Sequence, residues 1–411
     1  MQNDKDRPKL KMRGGIRKRG DKSYQISISL GKDPLTAKYK YHHETVRGTL
    51  REAKAHRAKL IHEIAGGTFV TPSKLTLAEY LERWLKEYAQ ANLAPRTAEG
   101  YELIIHRHLI PSLGRIKLSA LKPEHVQRYQ SEKLLSGRAD GKGGLNPRTV
   151  RHHYMTLHTA LGHAVKMGLL SRNVADGVSP PSCSRHEWHC LDEAELNRLL
   201  AAARTSPYYV FFYQALFTGM RRSELLGLRW RDVDLVLCEA HVSRSLHQLQ
   251  TGEIVIRPPK SKQGLRTVDL PLSATLLLQD YKDKQTAQRA TNGTRLSKDD
   301  LIFGNAEGNP LLPNTVTHAW VKLVRRAGLK GVRLHDCRHS HASIMLKQGT
   351  HPKVVQERLG HASIQVTIDI YSHVAPGIQK AAAENFDKLV SPRHADTCEN
   401  ECRDTPLLTN Y

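Results

Sequence analysis

The spacing of hydrophobic and polar positions changes character along this 411-residue chain. Ser23-Tyr24-Gln25-Ile26-Ser27-Ile28-Ser29-Leu30 alternates with a period of two, as a half-buried strand does. Gly31 and Pro34 mark a turn, and residues 37–49, with Tyr39, Tyr41 and Val46, have strand character again. From Leu50 to Ala65 the apolar residues recur at helical spacing. Helical periodicity then dominates. Leu77, Tyr80, Leu81, Trp84, Leu85 and Tyr88 share one face, and Pro95-Arg96-Thr97 opens a helix with Tyr101, Ile104, Ile105 and Leu109 on one side. Pro123 starts a third helix and Pro147 a fourth, running through Leu157, Leu161 and Val165, with a Gly-rich polar loop over residues 136–146 between them. Asp192 to Arg204 predicts an amphipathic helix and Tyr208 to Phe217 another. The period then returns to two at residues 240–243, 253–257 and 265–270, which predicts three short antiparallel strands. Helices resume at Ser273 and run to about Leu389.

These shifts divide the chain. Residues 1–72 read as a small α+β domain, 73–182 as an all-α domain, and 183–390 as a mainly-α domain with a small antiparallel three-stranded sheet. Residues 391–411 form a polar tail that should fray. Ser179-Pro180-Pro181-Ser182 is a linker between the second and third units. A length of 411 residues fits two to three domains.

Charge narrows the choice of partner. Sixty-three Lys and Arg against forty Asp and Glu leave a net charge of +23. Charge this lopsided destabilises a fold through self-repulsion, so a polyanion is the expected partner, and nucleic acid leads over an anionic membrane surface because the charge is spread over several segments. Arg17, Lys18 and Arg19 close a basic run at the start of the first strand region, which suggests a DNA-binding module rather than a merely solubilising one. Arg148, Arg151, His152 and His153 bunch at the start of the fourth helix, where backbone N–H groups also attract phosphate, and Arg96, at the start of the second, is a further DNA-binding candidate. No apolar run approaches the roughly 20 residues of a membrane span, and Met1 to Lys11 lacks the apolar core of a secretory signal. A cytoplasmic protein with no membrane partner is expected. The six cysteines have no paired zinc spacing, so no structural metal is assigned.

Candidate chemistry sits in two clusters. Thr218-Gly219-Met220-Arg221-Arg222-Ser223-Glu224 sets an arginine after a Thr-Gly turn, with a carboxylate three residues on that can orient it. About a hundred residues later come Leu334-His335-Asp336-Cys337-Arg338-His339-Ser340-His341, Leu359-Gly360-His361 and Ile370-Tyr371-Ser372-His373. An Arg forks onto two phosphate oxygens and never loses its charge, an imidazole handles a proton, and a phenol can act as a nucleophile when positive charge and an acceptor activate it. His335 and Arg338 share a helical face. Lys260, in Pro258-Pro259-Lys260-Ser261-Lys262, lies in the turn between the second and third strands, where a lysine can reach into a groove; Lys262 competes with it. Each group has a plainer reading: a surface ion pair for Arg221 and Glu224, a solvated loop for Lys260, packing for Tyr371. His335, Cys337, His339 and His341 also admit a metal site, which the neighbouring Arg338 would oppose.

Order and spacing of these segments resemble the tyrosine recombinases of the phage integrase family. The first domain resembles the arm-type DNA-binding module of phage and conjugative-transposon integrases, and the second their helical, SAM-like core-binding domain. Cys337 replaces the Leu common in the family's His-Asp-Leu-Arg. The resemblance implies a catalytic set of Arg221, Lys260, His335, Arg338, His361 and Tyr371, supported by Glu224. In that set Tyr371 forms a 3′-phosphotyrosyl link without metal, ATP or other cofactor. It further implies double-stranded attachment-site DNA as substrate, a homo-tetramer on DNA in a bacterial cytoplasm, and an excisionase and a host DNA-bending protein as accessory partners. A type IB topoisomerase of the same chemistry, or a non-catalytic architectural or regulatory DNA-binding protein, are the alternatives.

Overall fold

The computed structural model describes residues 14–32, 36–66, 69, 74–138, 140–184, 190–259, 261–305 and 307–374, with isolated positions between 383 and 390. Lys260 and the expected frayed tail, 391–411, lie outside the described residues, as do the side chains of residues 370–374. The chain divides into two compact units, Met1–Arg185 and His186–Tyr411.

The first unit begins with an antiparallel sheet of β1 (Ile16–Gly20), β2 (Ser23–Lys32) and β3 (Tyr39–Arg47), followed by α1 (Leu50–Ala65). Thr49 and Glu52 close a reciprocal capping box at the start of α1, a device that typically stabilises a helix by about 1 kcal/mol. Ile26 and Ile28 on β2 are buried against Leu60 of α1. The pleat then separates the basic residues. Arg17 pairs with Gln25, Gln25 with Thr45, Ser27 with His43 and Ser29 with Tyr41, so Arg17, Tyr41 and His43 share the face opposite the one β2 buries, and Arg19, at a bulge in β1, bonds Gln25 on that face. Lys18 pairs with Tyr24 and falls on the other face.

Helices follow. α2 (Leu77–Trp84) continues through a wider π turn, Leu85–Ala89, to Asn92, and α3 (Pro95–Ile104) continues through a second, Ile105–Leu109, to Leu113. α4 (Pro123–Ser136) and α5 (Pro147–Lys166) complete the group. Their core includes Leu77, Leu81, Trp84, Ile105, Leu109, Leu157 and Leu161, with Trp84 stacked between Tyr88 and Tyr101 at 5.9 and 5.8 Å. Pro95, Pro123 and Pro147 each occupy a first helical turn, where the missing N–H is not needed. Asn146 caps α5 by accepting from the Arg148 N–H at 2.9 Å.

In the second unit α6 (Glu193–Ala203), α7 (Tyr209–Thr218) and α8 (Arg222–Gly227) lead into β4 (Val233–Asp234), β5 (Glu239–Val242), β6 (Ser245–Gln248), β7 (Ile254–Arg257) and β8 (Arg266–Asp269). Among the described residues α9 (Leu272–Thr291), α10 (Pro313–Arg326), α11 (Asp336–Lys347), α12 (Pro352–Leu359) and α13 (Ile364–Val374) follow. Phe211 and Phe212 of α7 anchor the core, edge-on to Phe303 at 5.0 Å and to Trp320 of α10 at 5.2 Å.

The expected small antiparallel three-stranded sheet is present as β4-β5-β8, and the pairing of the three strands read from the sequence is what the structure corrects: residues 253–257 leave that sheet for a second one, β6-β7. β7 pairs with β6, a strand absent from the sequence reading, while β8 pairs with β5. The segment around Lys260 is thus a connection between two sheets, ending in a 3-10 turn at Lys262–Gly264, rather than the tip of a hairpin between paired strands. Alternation assigns a strand's faces but does not choose its partner, which depends on long-range pairing.

Candidate active site

The site grows from the end of one helix. The last carbonyls of a helix have no intrahelical donor and carry its negative pole. At the end of α12 the chain turns through Gly360, which has the left-handed backbone (φ 65°) that favours glycine. Three successive carbonyls there each meet a different arginine. Arg266 Nε donates to Arg358 O at 2.7 Å, Arg338 Nη2 donates to Leu359 O, and Arg221 Nη2 donates to Gly360 O at 3.3 Å. His361 is the next residue. One turn therefore gathers cations from α11, from the α7–α8 junction and from β8.

Arg221 precedes α8 with an extended backbone (φ −69°, ψ 148°). Glu224 holds it twice: Oε2 accepts the Arg221 backbone N–H at 2.9 Å and Oε1 accepts Nη1 at 2.6 Å. Arg266 grips the same carboxylate from the other side, Nη2 to Oε2 at 2.9 Å and Nη1 to Oε1 at 3.3 Å. Glu224 is 3% exposed, and burial alone would raise its pKa. The Arg266 hydrogen bonds and charge, followed by Arg221, overcome that and bring it down to about 2. Glu224 is therefore ionised at neutral pH. The turn before Arg221 is tight: Gly219 has φ 64°, and a Cβ there would stand 2.5 Å from Leu359 Cδ2 and 2.9 Å from the His341 ring.

Arg338 is buried on α11, with Nη1 donating to Gly219 O at 2.9 Å. Burial, then the nearby Arg221 charge, pushes its pKa down to about 9, which leaves it protonated at neutral pH. Arg221 keeps 37% of its side chain exposed. Buried and open guanidinium groups side by side, each with N–H donors beyond those the carbonyls take, supply the donor set that a receptor for an oxyanion needs.

The four imidazoles of α11 and the α12 turn separate in role. His335 occupies the position before α11 without a side-chain capping bond and is exposed; desolvation by the protein around it, then the Arg338 and Arg221 charges, lower its pKa. It is neutral near pH 7 and open to accept a proton. His361 is buried, with Nδ1 at 2.9 Å from Thr367 Oγ1, and burial followed by the Arg338 and Arg221 charges brings its pKa to about 3. His339 lies edge-on to His335 at 5.0 Å. His341 turns away to Leu216 O at 3.0 Å and accepts from Arg358 Nε at 3.1 Å. Cys337 is buried in the main core. The four residues of the metal reading thus diverge, and among the described residues no three His, Cys, Asp or Glu side chains are gathered for a metal.

Position 371 lies near the end of α13, which packs against α11 and α12, and only its backbone is described. In the first unit Arg17, Lys18, Arg19, Arg96, Arg148 and Arg151 are all exposed. Arg19 bonds Gln25 at 2.6 Å, and Arg96 pairs with Glu99 at 3.3 Å. His153, which the sequence groups with Arg148 and Arg151, is buried instead, at 2.9 Å from the Tyr129 hydroxyl. Arg222 leaves the cluster too, tying α8 to Pro313 O and Thr317 at the start of α10.

Sequence reasoning missed Arg266, Arg358 and Asp336. Asp336 is buried and accepts the Arg333 N–H at 2.7 Å, fixing the entry to α11. The signal for Arg266 was available: it shares strand parity with Val268, which the alternation places inward, and an inward charge needs a buried partner.

Residues 189–377 match the phage integrase family, and residues 76–134 match the N-terminal SAM-like domain of phage integrases. The chain is a tyrosine recombinase of the phage integrase family. It is similar to a XerC-like tyrosine recombinase of Caldanaerobacter subterraneus subsp. tengcongensis, 26% identical over 390 residues that span 90% of this chain and 97% of the relative. It is also similar to the ICEBs1 integrase of Bacillus subtilis, 26% identical over 377 residues, 91% of this chain and all of the relative. The fold is shared with the Tn1549 transposon integrase, solved with a circular intermediate DNA, at a TM-score of 0.64 and 19% identity, over 76% of this chain and 99% of that one.

Proposed function

We propose that this chain is a site-specific integrase that cuts and rejoins DNA through a 3′-phosphotyrosyl intermediate, inserting a mobile element into a bacterial chromosome and excising it. The observation that carries the reading is the convergence of Arg221, Arg338 and His361 on one turn, with the helix that bears position 371 starting just beyond it. In the proposed step Tyr371 Oη attacks the scissile phosphorus. The Tyr371–phosphorus bond forms and the bond to the 5′-oxygen breaks. His335, neutral at pH 7, takes the phenol proton, and Lys260 gives one to the departing 5′-oxygen, with Lys262 the competing donor. Arg221 and Arg338 stabilise charge on the non-bridging oxygens, His361 hydrogen-bonds the phosphate, and Glu224 positions Arg221. Removing one such donor typically slows chemistry about 10²–10³-fold. The covalent link conserves the energy of the phosphodiester, so rejoining needs neither metal nor ATP.

The helix-free face of the N-terminal sheet, with Arg17 and Arg19, and the start of α5, with Arg148 and Arg151, supply the DNA contacts in this reading. A strand exchange between two duplexes requires two cleavages in each, hence four copies of the site. An excisionase and a host DNA-bending protein would set the direction. A nicked duplex carrying the ends of the DNA element that encodes the chain tests the proposal. Wild-type protein should be captured as a covalent adduct, and Tyr371→Phe should bind equally well and form none. Cleavage by Tyr371→Phe would remove Tyr371 as nucleophile, and relaxation of a closed supercoiled plasmid carrying the same ends, without strand exchange, would turn the reading to a topoisomerase.

A further inference from the structure

We infer that Arg266 is a positioning residue for DNA cleavage: it shares the Glu224 carboxylate and secures the end of α12, so that Arg221 reaches the phosphate with its charge only partly cancelled. Three observations place it. Its side chain is 6% exposed, so it does not itself meet DNA from solvent. It contacts both oxygens of Glu224, the carboxylate that also takes the Arg221 backbone N–H and side chain. Its Nε takes the Arg358 carbonyl, two residues before the Gly360 carbonyl that Arg221 itself holds.

Charge accounting gives the consequence. With Arg266 present, two guanidinium groups share one carboxylate and the trio keeps a net positive charge. Without it, a buried carboxylate has Arg221 as its remaining ion-pair partner in this cluster, and the pair is neutral. A buried ion left with one partner draws that partner in, because water no longer competes for it. Arg221 would be pulled toward Glu224 and away from an incoming phosphate. The plainer reading, that Arg266 only fills the space beside β8, predicts a general loss of stability with no special effect on phosphate charge.

The inference rests on the cleavage chemistry proposed above, and the test separates the two. Full-length protein is given the nicked element-end duplex with either a normal scissile phosphate or a methylphosphonate, which lacks one negative charge. Single-turnover cleavage is measured for wild type, Arg266→Met, Arg221→Ala and the double variant. Arg266→Met should cleave the phosphate at least about tenfold more slowly at saturating DNA. The deficit should shrink toward none on the methylphosphonate, where less charge needs stabilising. The double variant should be no slower than Arg221→Ala, since residues acting through one another are not additive. Arg266→Lys keeps the charge but not the fork. It should show a smaller deficit that also shrinks, and it carries the comparison if the Met variant does not fold. An equal deficit on both substrates, or multiplicative losses in the double variant, overturns the inference. Failure of wild type to form an adduct on the normal phosphate would overturn the proposed chemistry, and the inference with it.

Discussion

Gly219 shows how little room a single residue leaves near this site. It ends α7 with a left-handed backbone and sits against Leu359 and the His341 ring, while its carbonyl accepts from Arg338. A methyl group there must move the α12 end or distort the turn that presents Arg221. Gly219→Ala should therefore cost about 1–3 kcal/mol of stability, in the range of a strained backbone position, and reduce adduct formation as well. Urea unfolding checks the first and the nicked duplex the second; an unchanged unfolding midpoint would show that the turn is looser than its contacts indicate. Arg266 makes the complementary point, since its importance comes from the groups it holds rather than from any surface it offers.

At the scale of elements, α11 and the α12 turn concentrate imidazoles that burial keeps neutral. His339 and His341 have pKa values of about 4 and His361 of about 3, each lowered first by burial. A histidine whose folded pKa lies below its ordinary value near 6.5 contributes stability that is complete above pH 6.5 and lost as pH falls toward the folded value, because the unfolded chain binds the proton first. Glu224 acts in the same direction at lower pH, from its ordinary carboxylate range down to about 2. The second unit should thus lose stability steeply between pH 6.5 and 4, by up to about 1.4 kcal/mol per pH unit for each such histidine. Urea midpoints at pH 7, 6 and 5 measure it, and a flat series would contradict these shifts. The N-terminal sheet gives a second element-scale expectation. Its pleat puts Arg17 on the helix-free face and Lys18 on the other, and Arg19, at the bulge between Lys18 and Gly20, reaches the Arg17 face through its bonds to Gln25. The double change of Arg17 and Arg19 to Ala should reduce the salt dependence of DNA binding by about two counterions, and Lys18→Ala should leave it unaltered. Equal effects would mean that the face is not what binds.

For the whole molecule the net charge of +23 is the dominant quantity. Neutralising several phosphates releases their counterions, so affinity for duplex DNA should fall about a thousandfold between 50 and 200 mM salt. A nearly salt-independent affinity, measured by fluorescence anisotropy, would mean that the charge serves something other than DNA. The two units each bury their own core, and the cleavage residues of the proposal all lie in the second.

Much of this was legible in the sequence because it depends on neighbours close along the chain. Period-two alternation placed β2, helical periodicity placed α1 to α5, and prolines marked three helix starts. Arg221, Glu224, His335, Arg338 and His361 stood out because their types and spacing are improbable together. The sheet pairing was not legible, since β8 passes over the neighbouring β7 in sequence to pair with β5, across the β6-β7 hairpin. Nor was the difference between His361, which burial and Thr367 hold beside the arginines, and His341, which α7 and Arg358 turn away. By itself the sequence determined most of the elements, the charge and the candidate chemistry, all local or additive properties. Only the tertiary structure decided which carbonyl each arginine holds and that Arg266 shares the carboxylate of Arg221. Those contacts join residues up to 139 positions apart, and they form only when the chain closes on itself.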